Sequence, residues 1–467
     1  MIPASTFAGR CVAVFGLGRS GIATCRSLIA GGATVLAWDE NVRARRMAEA
    51  EGLNLTDLSD VDWHGIDSLV LAPGVPLTHP MPHWIVVRAR EANVEIIGDI
   101  EIFARERAVI APDAPFIAIT GTNGKSTTTA LIAHVLAVAG RDAQMGGNIG
   151  VPILSLDPLT AERVYVIEMS SYQIDLTQTL KPSVGVLLNV SPDHIDRHGT
   201  FANYVAIKKR LVWSADTAVI SVDDEPIAGI ARDLIAAHPS TIPISARLKL
   251  VDGYYFESGR VFNAGDGGRG MVASLDGLPA LRGQHSAQNV MATYAALNAI
   301  GIAASELDVG LKSFSGLAHR LEEIGRRRGV LFINDSKATN AESAAVALAS
   351  FQRDIFWICG GRAKQGGVGG LAEYFPRIAR AYLIGESEED FAAQLENQLD
   401  LARCGTLEVA VAAAARDAAS SDSAEPVVLL APACASFDQY ESFETRGNHF
   451  RAIVEALPGI DVSGGGT

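Results

Sequence analysis

Residues 116–140, FIAITGTNGKSTTTALIAHVLAVAG, restrict the fold of this chain more than any other stretch. The apolar run FIAIT reads as a short buried strand, GTNG as a tight turn, and the residues from Lys125 as an amphipathic helix. Strand, glycine turn and helix in that order aim backbone N–H groups and the positive end of a helix at one spot, which suits a phosphate. The usual phosphate-loop pattern G-x-x-x-x-G-K-[ST] lacks its first glycine, because Ile119 occupies that place. A loop shorter at its front is therefore expected. Lys125 is placed to reach the outer phosphates of ATP, and Ser126 to offer its hydroxyl to Mg²⁺. The plainer alternative is a helix capped by a Gly/Asn turn.

At 467 residues the chain exceeds one ordinary core. Hydrophobic residues make up 48% and aromatics 6%, which fits an aliphatic parallel-sheet interior. The 39 Lys and Arg against 53 Asp and Glu leave a net charge of −14, which argues against nucleic acid or an anionic membrane as partner. The five cysteines form no C-x-x-C pair, so reduced thiols in a cytoplasmic protein are expected. No basic segment precedes the first apolar run, and no apolar stretch reaches the roughly 18 residues of a membrane span. A monomer is expected.

Three α/β series follow one another. The first runs CVAVFG, LGRSG, IATCRSLIAGG, ATVLAWDE and DSLVLAPGV, and fades into an expected linker at residues 98–115, where charges and prolines gather. The second starts at Phe116 and includes RVYVIEMSS, SVGVLLNVSPDH and TAVISVDD. The third includes GVLFINDSKATN, RDIFWICGG, RAYLIG and PVVLLAPACASFD, and ends in a tail, DVSGGGT, expected to be disordered. Apolar strands ending in polar residues deliver those residues to one rim of an open sheet. Glu168, Asn189, Asp193 and His194 are such residues; beside a phosphate loop they read as metal ligands, and alone as solvated loops. In the first series GLGRSG, residues 16–21, matches G-x-G-x-x-G, with Asp39 at the end of the next strand. By itself this suggests a dinucleotide-binding oxidoreductase. No residue set for hydride transfer accompanies it, and the chain already has a separate triphosphate loop. Tight NAD(H) binding is the observation that would restore that reading.

GTNGKST, the E-x-S-S of VIEMSS, and N-x-S-P-D-H-x-D-R-H resemble the Mur ligases and their relative folylpolyglutamate synthase, which use ATP to join an amino acid to a carboxylate. The resemblance extends from residue 11 to about residue 455. It implies three domains: a Rossmann-like N-terminal domain for a UDP-substrate (1–105), a central P-loop-type ATPase domain with a mostly parallel sheet (106–316), and a Rossmann-like C-terminal α/β domain for the amino acid (317–467). It implies ATP contacts at Gly121, Thr122, Asn123, Gly124, Lys125, Ser126, Thr127, Asn289, Arg320 and Asp335, and catalytic parts for Lys125, Glu168, His194 and Lys208. Ser126 and Glu168 would hold the Mg²⁺ shared with ATP, His194 would serve a second Mg²⁺ near the reacting carboxylate, and a carbamate on Lys208 would help to hold Mg²⁺; the neighbouring Lys209 is the rival for that modification, and an exposed basic helix face the plain reading. Arg19, Ser20, Asp39, Gly74 and Asn148 would hold the UDP-substrate. Departures from the family pattern occur at Ala72, Glu40, Asn41 and Ser286.

Within the family, NDSKATN and APACASFDQYESFETRG resemble the members that add D-glutamate to UDP-N-acetylmuramoyl-L-alanine. Lys337, Thr339, Lys364, Ser436 and Phe443 would then surround D-glutamate, and Arg320, after His319, would bridge phosphate charge. The resemblance implies transfer of a phosphoryl group to the substrate carboxylate, attack by the amine, and closure of the lobes before chemistry.

Overall fold

In the computed structural model, residues 1–238, 240–265, 270–281, 283–364 and 366–462 are described. The chain divides into two compact units, residues 1–274 with 288–312, and residues 275–287 with 313–462 and the tail. Three sheets stand where three α/β lobes are expected, two in the first unit and one in the second.

The first sheet has β1 (Cys11–Phe15), β2 (Thr34–Trp38), β3 (Ser68–Leu71) and β4 (Glu95–Ile97) in the order β2-β1-β3-β4, all parallel. The helix Arg19–Ala30 returns the chain from β1 to β2 and stops at Gly31.

The second sheet has nine strands. Its centre is β5 (Phe116–Thr120), followed by β6 (Ala143–Gly147), β7 (Val164–Glu168), β8 (Val184–Leu187), β9 (Thr217–Ser221), β10 (Thr241–Ser245), β11 (Tyr254–Glu257), β12 (Arg260–Asn263) and β13 (Gly270–Ser274). The order is β13-β12-β11-β10-β9-β8-β5-β7-β6. The strands from β6 to β11 are parallel, while β12 and β13 extend the edge as an antiparallel meander. The chain leaves β5 toward β7 and β6, then returns to its other side at β8. This is a topological switch point, where a crevice opens at the carboxyl ends of the strands. All five residues of β5 and of β7 are buried, as a two-sided parallel sheet requires.

The third sheet has β14 (Glu322–Arg327), β15 (Val330–Asn334), β16 (Ile355–Gly360), β17 (Ile378–Ile384), β18 (Leu401–Gly405), β19 (Val427–Leu430) and β20 (Asp461–Val462) in the order β18-β17-β16-β19-β15-β14-β20. β15 to β19 are parallel, and β14 and β20 add an antiparallel edge.

Two expectations fail. Residues 98–115 are no linker: they contain the helix Asp99–Ile110, most of it buried. Its acids are paired rather than solvated. Glu101 accepts from Gln178 N, Thr179 N and Thr179 Oγ1 at 2.8–2.9 Å, and from Arg105. Glu106 accepts from Ser5 Oγ at 2.7 Å and Thr6 N at 2.6 Å. The start of the tail is not disordered either, since Asp461 and Val462 pair with Arg326 and Gly325; residues 463–467 lie outside the described residues. All five cysteines are free thiols. Among the described residues no helix is long and apolar enough to cross a membrane.

Candidate active site

β5 runs straight into the loop of residues 121–124, and the helix Lys125–Val138 begins at once. Gly124 adopts φ 83°, and a Cβ there would lie 2.6 Å from Asn289 Oδ1 and 3.1 Å from Leu188 Cδ1, so only glycine fits. Asn289 is buried and accepts from Thr128 Oγ1 at 3.1 Å, which fixes its amide against the loop. Asn189 Oδ1 accepts from Asn123 N at 2.7 Å, and Thr122 N donates to Asn189 O at 2.8 Å. Thr122 Oγ1 meets Tyr204 Oη at 3.1 Å. Lys125 Nζ turns back over the loop to Gly121 O and Thr122 O at 2.9 and 2.8 Å. Ser126 is buried in the first helical turn beside Thr127.

Glu168 ends β7, in register with Ile119 on β5. Its Oε1 accepts from Asn148 Nδ2 at 2.8 Å, while Oε2 is buried without a donor. An anionic oxygen buried in this way is costly unless a cation meets it. Among the described residues no three His, Cys, Asp or Glu side chains form a ready-made cage. Mg²⁺ needs none, because it is commonly held by one or two carboxylates with phosphate oxygens and water. The donor set here fits that ion.

Lys208 projects from the helix Phe201–Trp213 and is only 1% exposed. Its Nζ donates to Gly121 O at 2.9 Å and Thr120 Oγ1 at 3.2 Å, and lies 4.8 Å from the centroid of the Tyr204 ring. Burial, with repulsion from Lys125, drives its amine pKa well below the ordinary lysine value. Lys209 points elsewhere, to Asp233 at 3.3 Å and over the Trp213 ring. His194 has φ 52°, has a half-exposed side chain, and lies 3.3 Å from Asp193 Oδ2 and 5.0 Å from the Tyr172 ring. Partial burial lowers its pKa against the pull of Asp193, with Lys125 and Lys208 adding to the lowering. His198 stacks on the other side of this group, bonded to Ser171 Oγ at 2.9 Å, and burial depresses its pKa to about 4.

In the first sheet the glycine turn after β1 closes on Asp39, whose carboxylate accepts from Leu17 N at 2.6 Å and Asn41 N at 2.7 Å. Ser20 donates to buried Asp99 at 2.7 Å, and Arg19 reaches Gly150 O at 3.3 Å. Gly74 follows β3 and accepts from Arg197. Asn148 follows β6, two residues before the Gly150 that Arg19 reaches, and donates its amide to Glu168 at 2.8 Å.

In the second unit, Asp335 follows β15, is buried, and accepts from Leu321 N at 3.3 Å. Burial raises its pKa to about 7, opposed by Arg320. Lys337 Nζ lies 4.0 Å from the centroid of the Phe443 ring. Thr339 precedes Asn340, which caps the helix Ala341–Ala349. Arg362 and Ala435 exchange two backbone hydrogen bonds of 2.9 and 3.0 Å, which bring the loop of Lys364 beside that of buried Ser436. Arg446 is 1% exposed and donates to Ser336 Oγ, Ser336 O and Cys434 O at 2.9–3.1 Å. The five residues singled out for the amino acid thus lie on three segments held to one another.

A model of the Mur ligase middle domain matches residues 119–297, and one of the Mur ligase glutamate ligase domain matches residues 319–434. A UDP-N-acetylmuramoylalanine–D-glutamate ligase of Chelativorans sp. is 56% identical over 464 residues, covering 99% of both chains. Its counterpart in Bradyrhizobium diazoefficiens is 57% identical, covering 98% of this chain and 99% of that one. The chain belongs to the Mur ligase family. Solved Mur ligase structures share the fold: the UDP-N-acetylmuramate–alanine ligase of Thermotoga maritima aligns with a TM-score of 0.59 at 15% identity, covering 96% of this chain and 99% of that one. A MurF ligase of the same organism in complex with ADP aligns at 0.55 and 16%, covering 97% of each.

Several residues of this Mur ligase site lie within or beside the motifs but carried no role in the sequence reading. Tyr172 stands between His194 and His198, and Tyr204 touches both the loop and Lys208. Arg197 lies inside the quoted D-H-x-D-R-H string. The signal was position alone: Tyr172 follows the E-x-S-S motif, and Tyr204 and Arg197 lie within a few residues of Lys208 and His194.

Proposed function

We propose that this chain joins D-glutamate to UDP-N-acetylmuramoyl-L-alanine, converting ATP to ADP and phosphate, as a cytoplasmic monomer in peptidoglycan synthesis. The observation that carries the reading is the convergence at the carboxyl ends of β5 and β7. A glycine loop with a lysine, a carboxylate oxygen without a donor and a buried lysine amine meet there, in a chain similar over its length to ligases of that name.

A carboxylate is a poor acyl donor because oxide cannot leave. In the proposed reaction an oxygen of the L-alanine carboxylate attacks the γ-phosphorus, and the bond to ADP breaks. The D-glutamate amine then attacks the acyl carbon, loses a proton, and the tetrahedral adduct expels phosphate to leave the amide. The protein's share is positioning and charge. The N–H groups at the helix start after Gly124 would hold the phosphates, those of Thr122 and Asn123 being taken by Asn189, and Lys125 would leave its carbonyls to follow the transferred charge. Mg²⁺ would supply further neutralisation, one ion held by Ser126 and Glu168 with ATP and a second served by His194, with a carbamate on Lys208 helping. A neutral lysine amine is the form that adds CO₂, so the low pKa of Lys208 supports its modification. Arg19, Ser20, Asp39, Gly74 and Asn148 would bind the UDP-substrate. Lys337, Thr339, Lys364, Ser436 and the Phe443 turn would bind the D-glutamate carboxylates, with Arg320, Asp335 and Asn289 serving the nucleotide.

The test is ADP release with UDP-N-acetylmuramoyl-L-alanine and one amino acid at a time. D-glutamate should support turnover and L-alanine, L-lysine and diaminopimelate should not. Turnover with one of those instead would assign a different ligase.

A further inference from the structure

The segment that carries His194 also grips the first sheet. From the short helix Ile195–His198, Arg197 donates Nη1 to Gly74 O at 2.6 Å, and Nη2 to Val75 O at 2.8 Å and Pro73 O at 3.4 Å. Its guanidinium carbon lies 4.7 Å from the centroid of the Tyr172 ring, which covers one face of the group. The three acceptors are consecutive carbonyls of the loop that follows β3. A planar fork can meet three such oxygens from one side, whereas an ammonium presents a single point. Two residues further on the same segments meet again. Gly199 adopts φ 76°, a left-handed conformation that favours glycine, and a Cβ there would lie 2.4 Å from His79 Nε2, so any side chain would be strained and would have to push the His79 ring aside. The loop of Gly74 and the segment of His194 are therefore held in one register from two places. Both terminal nitrogens of Arg197 are engaged by backbone.

We infer that Arg197 is a positioning residue for the nucleotide-sugar substrate. It fixes the loop of residues 73–75 relative to His194, so that a precursor gripped by the first sheet presents its carboxylate at the phosphate loop. The inference rests on the ligase reading above and assigns Arg197 no contact with the reacting atoms. Its signature is selective: the nucleotide-sugar feels its loss, while ATP, bound by residues 121–127, does not.

The experiment compares Arg197→Ala, Arg197→Lys and Gly199→Ala with the wild type. It measures kcat, KM for each of the three substrates, ATP affinity without the other substrates, and thermal unfolding. Arg197→Ala should lower kcat/KM for UDP-N-acetylmuramoyl-L-alanine on the order of 10–100-fold, the range expected when a reacting group is displaced from a distance. ATP affinity should stay within about twofold. Arg197→Lys should recover only part of the loss, and Gly199→Ala should reproduce it without any change of charge. An unchanged KM for the nucleotide-sugar, or an equal loss of ATP affinity in the three variants, overturns the inference while leaving the ligase reading intact. Wild-type protein inert toward the nucleotide-sugar overturns both. Should Arg197→Ala unfold, the other two variants decide.

Discussion

Two glycine loops in the first unit look alike in outline and differ in what surrounds them. Each ends a central parallel strand, β1 or β5, and opens a helix. At β1 the surroundings are already satisfied: Asp39 holds the turn through Leu17 N, Ser20 is taken by Asp99, and Arg19 reaches a backbone carbonyl. At β5 the surroundings are charged and incompletely compensated. Lys125 rests on carbonyls, Glu168 keeps one oxygen without a donor, and Lys208 is buried. A loop whose neighbours are mutually satisfied is suited to holding a ligand; a loop beside a carboxylate oxygen without a donor and a buried amine of lowered pKa is suited to changing one. The difference lies in the neighbours rather than in the glycine pattern, and so G-x-G-x-x-G by itself does not separate an oxidoreductase from a ligase.

Breaking the charged side of the comparison should have the largest effect. Lys208→Ala should cost on the order of 10²–10³ in kcat, with partial recovery when short carboxylic acids are added to stand in for the carbamate. Full turnover in the unrescued variant removes Lys208 from the site. On the satisfied side, Asp39→Ala should raise KM for the nucleotide-sugar about tenfold, the worth of a charge-assisted hydrogen bond, with kcat little changed. A kcat loss as large as that of Lys208→Ala would erase the distinction between the loops. The smallest effect concerns His198. Its folded pKa of about 4 lies below the ordinary histidine value, so the unfolded chain takes up the proton first as pH falls. Stability from this group is complete above about pH 6.5 and declines toward pH 4, by about 1 kcal/mol after solvent screening is allowed for. Denaturant midpoints at several pH values should show the slope, and His198→Gln should flatten it.

What the sequence revealed followed a physical division. Strands β5, β7 and β8 were legible because fully buried strands are unbroken apolar runs, and Glu168, Asn189 and His194 because a polar residue ending such a run lands on the rim. The choice between Lys208 and Lys209 was open in sequence, since adjacent helical residues point about 100° apart and either face could be the buried one. The helix Asp99–Ile110 was misjudged because its acids resemble a solvated stretch; their partners, Ser5, Thr6, Gln178 and Thr179, lie far away in the chain. β20 and the meander β11–β13 were hidden by their shortness. Arg197 was hidden because its partners are carbonyls, which every residue has.

That misjudged helix has a further consequence. Glu106 fastens it to the chain's first residues, and Glu101 fastens it to residues 178–179 of the second sheet's lobe. A span bolted at both ends behaves as a gauge block. On the proposed reading, the distance from the UDP-binding lobe to the phosphate loop would then be a built-in length, and a precursor whose sugar–lactyl–alanine stem is one residue too long or too short would miss the mark however well its two ends are held.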